Sequence, residues 1–348
     1  MKENIIMIGD FGKDLDDEHS LVLAAGLQKR SLINLVAVVA NLKPTLRRAQ
    51  LAKGTLTQLG LSQIPVGAGM VVFQDEKSYD YEIKVPYLVD ELQIDNGQDL
   101  LTQQLKAAKN ESITLVLQSG LTDAAVLALL DRDLFLQKVS CVTIMGGVET
   151  QNGKILLDEN GFMKPNNASN NSFDWKSTVY LYQTLQELGV PIIITTRNVS
   201  YACQVPLAFY DKMVETGNPV GRCLKERQNL SLQKLWETAC LPAGHRQRGT
   251  LPKDRNRQWL VDVFCNGKDP GISPYNEIWP FVGQFNLYDP INLIVTVKKL
   301  RNIFFDPTEV IVKNTVHLVV GISPKKHGIK NTNKLRQFIC NAEIEGLN

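Results

Sequence analysis

The chain has 348 residues, 44% of them hydrophobic, with 38 basic against 36 acidic side chains for a net charge of +2. That size and apolar content permit a large core, and so even a charge balance argues against nucleic acid, whose binders concentrate a basic surplus. Six scattered cysteines without CxxC or metal spacing fit a reducing compartment. With no signal-peptide pattern before Asp10 and no apolar stretch near the ~20 residues of a membrane span, a cytoplasmic protein without membrane association is expected.

Ile5–Ile8 reads as a first strand and 17–29 as a helix with Leu21, Val22, Ala24, Ala25 and Leu27 on or near its inner face. Leu35–Ala40 is a near-continuous apolar strand, followed by a helix over 44–59 begun by Pro44. Residues 101–108 lead to strand Ile113–Leu117, helix 122–130 and strand 141–145; helix 175–188 then leads to strand 191–195. Residues 216–280 hold much of the Gly, Pro, Arg and Trp and show no clean periodicity. After them, Leu293–Val297 and Val310–Val320 carry strand-like β-branched runs, with Arg301–Pro307 as the turn between. Continuous apolar strands spaced by helices predict a doubly wound α/β fold, its mostly parallel sheet covered by helices on both faces. No flexible linker divides the chain, so a single domain over 1–348 with a variable insertion at about 216–280 is expected.

In such folds the loops leaving the C-terminal ends of the strands converge on one crevice. The first is strongly acidic: Asp10, Asp14, Asp16, Asp17 and Glu18 fall within nine residues, against one Lys13. Any one of the last three could simply cap the next helix, where carboxylates complement the N-terminal dipole. Five together repel and would have to protonate, unless a hard divalent cation such as Ca2+ takes their oxygens. Gly12 permits the tight turn between them. An aspartyl-phosphate phosphatase would carry a second Asp where Gly12 stands, and an EF-hand would need a helix on both sides of its loop. Neither fits.

Residues 8–17, IGDFGKDLDD, resemble the first loop of the inosine–uridine-preferring nucleoside hydrolase family, DxDxGxDxDD, with Ile8 in place of the first Asp. Further blocks follow in family order: VVAN at 38–41 resembles VVGN, ITLVLQSGLTDAA at 113–125 resembles ITLVPTGGLTNIA, and IMGG at 144–147 resembles LMGG. Asn170–Asp174 falls at the N-x-x-x-D segment, and Tyr288-Asp289-Pro290 at His-Asp-Pro. The resemblance implies Ca2+-dependent hydrolysis of ribonucleoside N-glycosidic bonds, in purine or pyrimidine salvage, and a homo-oligomer. It implies that Asp10 binds Ca2+ and acts as general base, with Asp17, Asp289 and the main-chain carbonyl of Gln118 completing the metal set. Asp16 and Asn170 would hold the ribose 2′- and 3′-hydroxyls, Asn41 would line the ribose pocket, and Asn160 would reach the 5′-hydroxyl. An ungapped alignment would instead put Asp10 at the first-Asp position and Gly12 at the base.

Four departures lie around this set, one of them a 216–280 stretch longer and more basic than a plain substrate lid. Ile8 removes the usual support of the metal loop, Ala168 stands where an acid often lies two before the ribose-binding Asn, and Tyr288 replaces a histidine that protonates the leaving base in some members. Tyr79, Tyr81, Trp236 and Trp259 are candidates to stack on the base, and His245, flanked by Arg246 and Arg248, is either a replacement acid or a surface histidine. Two functions stay open: a nucleoside hydrolase, or a catalytically silent homologue that binds Ca2+ and a ribosyl ligand such as an ADP-ribose-like nucleotide.

Overall fold

The computed structural model describes residues 2–12, 15–71, 83–249 and 251–348. Its centre is a nine-stranded sheet of β1 (Glu3–Gly9), β2 (Ile33–Ala40), β3 (Val66–Ala68), β4 (Asp95–Asn96), β5 (Ile113–Leu117), β6 (Val139–Gly146), β7 (Ile192–Thr196), β8 (Thr308–Val312) and β9 (Thr315–Val320). The spatial order is β8-β9-β7-β6-β5-β1-β2-β3-β4, and every pairing is parallel except β8 with β9. The helices that matter below are α1 (Asp16–Lys29), α2 (Thr45–Gln58), α3 (Gly97–Ala107), α4 (Thr122–Leu130), α5 (Trp175–Glu187), α6 (Pro219–Ala239), α7 (Tyr288–Thr296), α8 (Lys298–Phe304) and α9 (Thr332–Leu347).

The unbroken apolar strands follow from this layering. Successive side chains of β1 point to opposite faces. Ile5 and Met7 join one core with Leu21 of α1, Leu51 of α2, Leu224 of α6 and Ile339 of α9. Ile6 and Ile8 join the other, with Leu101 of α3, Ala124 of α4 and Leu181 of α5. Burial of each such Ile or Leu stabilises the fold by about 1.5–3 kcal/mol, so both faces select against polar residues along the strand.

The sequence-based elements up to residue 196 stand within a few residues of the observed ones, but three later readings are corrected. Leu293–Val297 is not a strand: it lies in α7 and just beyond it, where residues 289–297 are all buried. A helix buried on every side shows the same unbroken apolar run as a buried strand. Arg301–Pro307 is not simply a turn, because α8 fills most of it. The guanidinium of Arg301 folds back to donate to the carbonyls of Val295 and Thr296 at 2.7 and 3.0 Å, closing the C-terminal end of α7. The 216–280 stretch contains a 21-residue helix, α6, started by Asn218 Oδ1 accepting from Val220 N and by Pro219 in the first turn. Val310–Val320 is two antiparallel strands, turned at Lys313 and Asn314.

Helix α9 packs along α1. Arg30 Nε, just past α1, donates to Glu345 at 2.7 Å, and Lys29 Nζ to the Glu345 carbonyl at 2.9 Å. Buried between the two helices, His19 Nδ1 and Glu343 Oε2 lie 2.6 Å apart, with Tyr210 Oη 3.1 Å from His19 Nε2. Among the described residues, no helix is long and apolar enough to cross a membrane.

Candidate metal centre

The chain runs outward from β1 through β2 and β3 to β4, then returns to place β5 on the other side of β1. That reversal is the switch point at which α/β sheets bind ligands. Register brings the ends level: Ile8 pairs with both Val39 and Leu117, and Gly9 with Ala40. The acidic loop, Asn41 and Gln118 therefore leave the sheet side by side.

Helix α1 carries Asp16 and Asp17 in its first turn, and α7 carries Asp289 in its own. One carboxylate oxygen from each of the three lies within 4.8 Å of the others, a spacing that suits a shared cation. Asp10, at 4% exposure, lies against this trio, its N–H donating to Asp17 Oδ1 at 3.1 Å. Burial holds Asp17 well above the usual carboxylate range, and the charges of Asp10 and Asp16 push it the same way. Asp289 is raised too, first by burial and then by Asp16, Asp17 and Asp10. Asp289 Oδ1 is buried without a hydrogen-bond partner. An orphaned buried oxygen among carboxylates that repel is what a divalent cation satisfies, and an all-oxygen donor set is the one Ca2+ takes. The residues present fit such an ion.

The loop is held by contacts that no local motif announces. Phe11 is fully buried and Gly12 has φ +83°. Arg48, on α2 and 4% exposed, donates to the carbonyls of Asp10 at 3.1 Å, Phe11 at 3.0 Å and Lys43 at 2.9 Å. Ile8 is a core residue of β1, so this guanidinium supports the loop from the α2 side. A Cβ on Gly9 would sit 2.4 Å from Asp17 Oδ1, so only glycine lets that carboxylate approach.

The other expected site residues divide into those at the cluster and those elsewhere. Gln118 is 1% exposed, and its Nε2 donates at 2.8 Å to both Ser20 Oγ and the Asp289 carbonyl, tying β5 to α1 and α7. Its main-chain carbonyl accepts from Asn170 Nδ2 at 2.9 Å, and the same amide donates to the Met145 carbonyl at 3.0 Å. Tyr288 donates its N–H to Asp16 Oδ2 at 3.2 Å. Asn41 is fully buried, with Nδ2 on Asp123 Oδ2 at 3.0 Å and the Gly120 carbonyl at 2.8 Å. Asn160 is exposed in a turn whose hydrogen bonds go to Asp158.

Of the stacking and acid candidates, Trp236 is fully buried, its Nε1 on the Ser273 carbonyl and the Arg257 guanidinium over its ring, so it has no face for a base. Trp259 has Arg255 over its ring at 4.4 Å. His245 is an exposed residue whose Nδ1 accepts from Gln247 N, the surface reading of the two. Tyr79, Tyr81 and Asp14 lie outside the described residues.

Glu18 turns away from the cluster: Arg227 of α6 pairs with it, and Thr55 Oγ1 and Tyr87 Oη donate to it at 2.8 and 2.9 Å. Asp123, which no motif singled out, gathers Met70 N, Asn41 Nδ2 and Gln98 Nε2 at 2.9–3.0 Å. Burial still holds its carboxyl above the ordinary range. Tyr201, also unforeseen, faces Tyr288 edge-on at 6.2 Å between ring centroids and accepts from Arg255 at 2.9 Å. Two surface grooves of about 450 and 500 Å3 lie elsewhere, beside Arg248 and Arg257 and between α1 and α2. The acidic centre is defined by its chemistry, not by void volume.

No protein-family model matches the sequence, nor does any curated protein. Solved structures do. The type III effector protein XopQ, complexed with adenosine diphosphate ribose, is 27% identical with a TM-score of 0.82, covering 100% of this chain and 94% of its own. The effector protein XOO4466 is 26% identical with the same TM-score, covering 100% and 95%. The purine-preferring ribonucleoside hydrolase from Gardnerella vaginalis aligns over 99% of both chains at 13% identity and a TM-score of 0.60. The chain thus has the nucleoside hydrolase fold, a Rossmann-like α/β sheet. Within that class it is more similar to these two effectors than to the hydrolase, and the likeness does not extend to an inosine–uridine preference.

Proposed function

We propose that the chain holds Ca2+ at Asp10, Asp17, Asp289 and the Gln118 carbonyl and hydrolyses the N-glycosidic bond of ribonucleosides, releasing base and ribose. The observation that carries this is the packing of Asp16, Asp17 and Asp289 within 4.8 Å, with Asp289 Oδ1 buried and unpartnered. Bound there, Ca2+ would balance the clustered charge, grip the sugar hydroxyls and make water easier to deprotonate. Asp10 takes the proton of the attacking water. Asp16 and Asn170 bind the 2′- and 3′-hydroxyls, so the carboxylates lie beneath the ribose and stabilise its oxocarbenium-like transition state, as in other glycoside cleavage. Asn41 lines the pocket by fixing Asp123, and Asn160 reaches the 5′-hydroxyl side.

The likeness to XopQ favours a second reading, binding of an ADP-ribose-like nucleotide without rapid turnover. A ribonucleoside panel assayed with calcium and with EDTA separates the two. Calcium-dependent base release supports hydrolysis. No release from any nucleoside, with calcium-dependent ADP-ribose binding by calorimetry, establishes the second reading.

A further inference from the structure

The hydrolase reading needs a proton for the departing base, and Tyr288 stands where some members of the family carry a histidine. Tyr201 lies next to it, on the short helix Arg197–Ala202 directly after β7, at the C-terminal edge of the sheet. The Arg255 guanidinium, which can only donate, reaches Tyr201 Oη at 2.9 Å. The Tyr288 ring, one residue before Asp289 on α7, meets the Tyr201 ring edge-on at 6.2 Å between centroids. With the guanidinium donating to its oxygen, Tyr201 keeps its own proton to give to another group. The ring is only partly buried.

Burial alone would push the Tyr201 phenol up, but the hydrogen bond from Arg255, with the charges of Arg255 and Arg197, brings it below its ordinary value. Arg255 is itself fixed. Its carbonyl accepts from buried Arg248 at 3.2 Å, its N–H donates to the Pro252 carbonyl at 3.0 Å, and its guanidinium stacks on Trp259 at 4.4 Å. The 216–280 stretch thereby delivers one cation to one phenol beside the acidic centre.

We propose that Tyr201 is the proton donor to the departing base, with Arg255 as the positioning residue that aims and polarises it. This rests on the hydrolase reading above. As the C1′–N bond breaks, its electron pair goes to the base nitrogen, which takes the Tyr201 proton. The oxygen of the attacking water bonds to C1′ and its proton goes to Asp10; solvent then carries that proton back to the Tyr201 phenolate. One water is consumed, and base and ribose leave.

Steady-state rates of wild type, Tyr201→Phe and Arg255→Met on purine and pyrimidine ribonucleosides and on 4-nitrophenyl β-D-ribofuranoside test it, because nitrophenolate leaves without a proton. Tyr201→Phe should lower kcat on the nucleosides by roughly 10²–10³-fold and on the nitrophenyl riboside by less than about fivefold, the span expected of one general acid. Arg255→Met should move the basic limb of the nucleoside profile to higher pH, since the phenol loses the cation that lowers it. An equal loss on both substrates, or no loss on either, overturns the assignment to Tyr201. So does a wild type that cleaves only the nitrophenyl riboside. A wild type inert toward both substrates sinks the hydrolase reading and this proposal with it.

Discussion

Asp17 and Glu18 are adjacent on the first turn of α1 and equally buried, at 1% and 0% exposure, yet their surroundings are opposite. Glu18 meets Arg227, Thr55 and Tyr87, a complete set of donors for a buried carboxylate. Asp17 meets Asp10, Asp16 and Asp289, and no Lys or Arg pairs with Asp17 or Asp289 among the described residues. A buried charge balanced inside the chain is a structural device. Buried charges left to balance each other point outward, to an ion or ligand. The difference sorts one acidic run into a fold half and a chemical half.

The sharpest way to break this contrast is at the chemical half. Asp10→Asn should lower turnover on the order of 10⁴-fold, about 5 kcal/mol, when the base and a metal ligand are lost together, while circular dichroism and the melting temperature stay near wild type. Undiminished rates would show that the gapped alignment of the loop is wrong. At the fold half, Arg227→Met leaves Glu18 buried without its cation and should cost about 3–5 kcal/mol in urea denaturation. A loss under 1 kcal/mol would place Glu18 in the chemical half after all. Arg48→Ala tests the loop's support: as an outer partner of a metal site it should weaken calcium affinity by roughly 10–100-fold, read by titration calorimetry. The global unfolding energy should change far less.

A smaller effect is set by the sign of the shifts on Asp17 and Asp289. Both are carboxylates raised in the folded state, so their contribution to stability is fully present below the ordinary carboxylate range and is lost as pH rises through the raised values. In EDTA the melting temperature should therefore fall as the pH is taken from about 5 to 8, and calcium should cancel the fall, because it binds the deprotonated set more tightly as pH rises. A calcium-insensitive pH profile would argue that no ion resides there.

Much of the sheet and of the loops that build the site was legible in residue order. Continuous apolar runs bounded by Gly, Asp and Asn marked β1, β2, β5 and β6, and the loops after them carried the acids and amides that meet at the centre. The partition of those acids was not legible, because it is decided by Arg227, 209 residues from its partner Glu18. Neither were α7 and α8, where burial on all sides erased the helical period. The start of α6 was marked by Asn218-Pro219, a cap and first-turn pair obscured by the Arg, Gly and Trp around it. Tyr201 carried no signal of its own; only Arg255, brought from 54 residues away, makes it unusual.

The buried His19–Glu343 contact has a consequence for how the protein is made. Ribosomes deliver α1 some three hundred residues before the helix that packs along it. Entropy alone makes so distant a closure only modestly harder than a short one, since its cost grows as the logarithm of length, yet time cannot be shortened that way. Until α9 arrives, the helix bearing Asp16 and Asp17 has an uncovered apolar flank and a histidine whose Nδ1 lacks Glu343. A nascent chain therefore carries its acidic loop for some three hundred residues before α9 covers the helix behind it, which makes α9 the latch on the site.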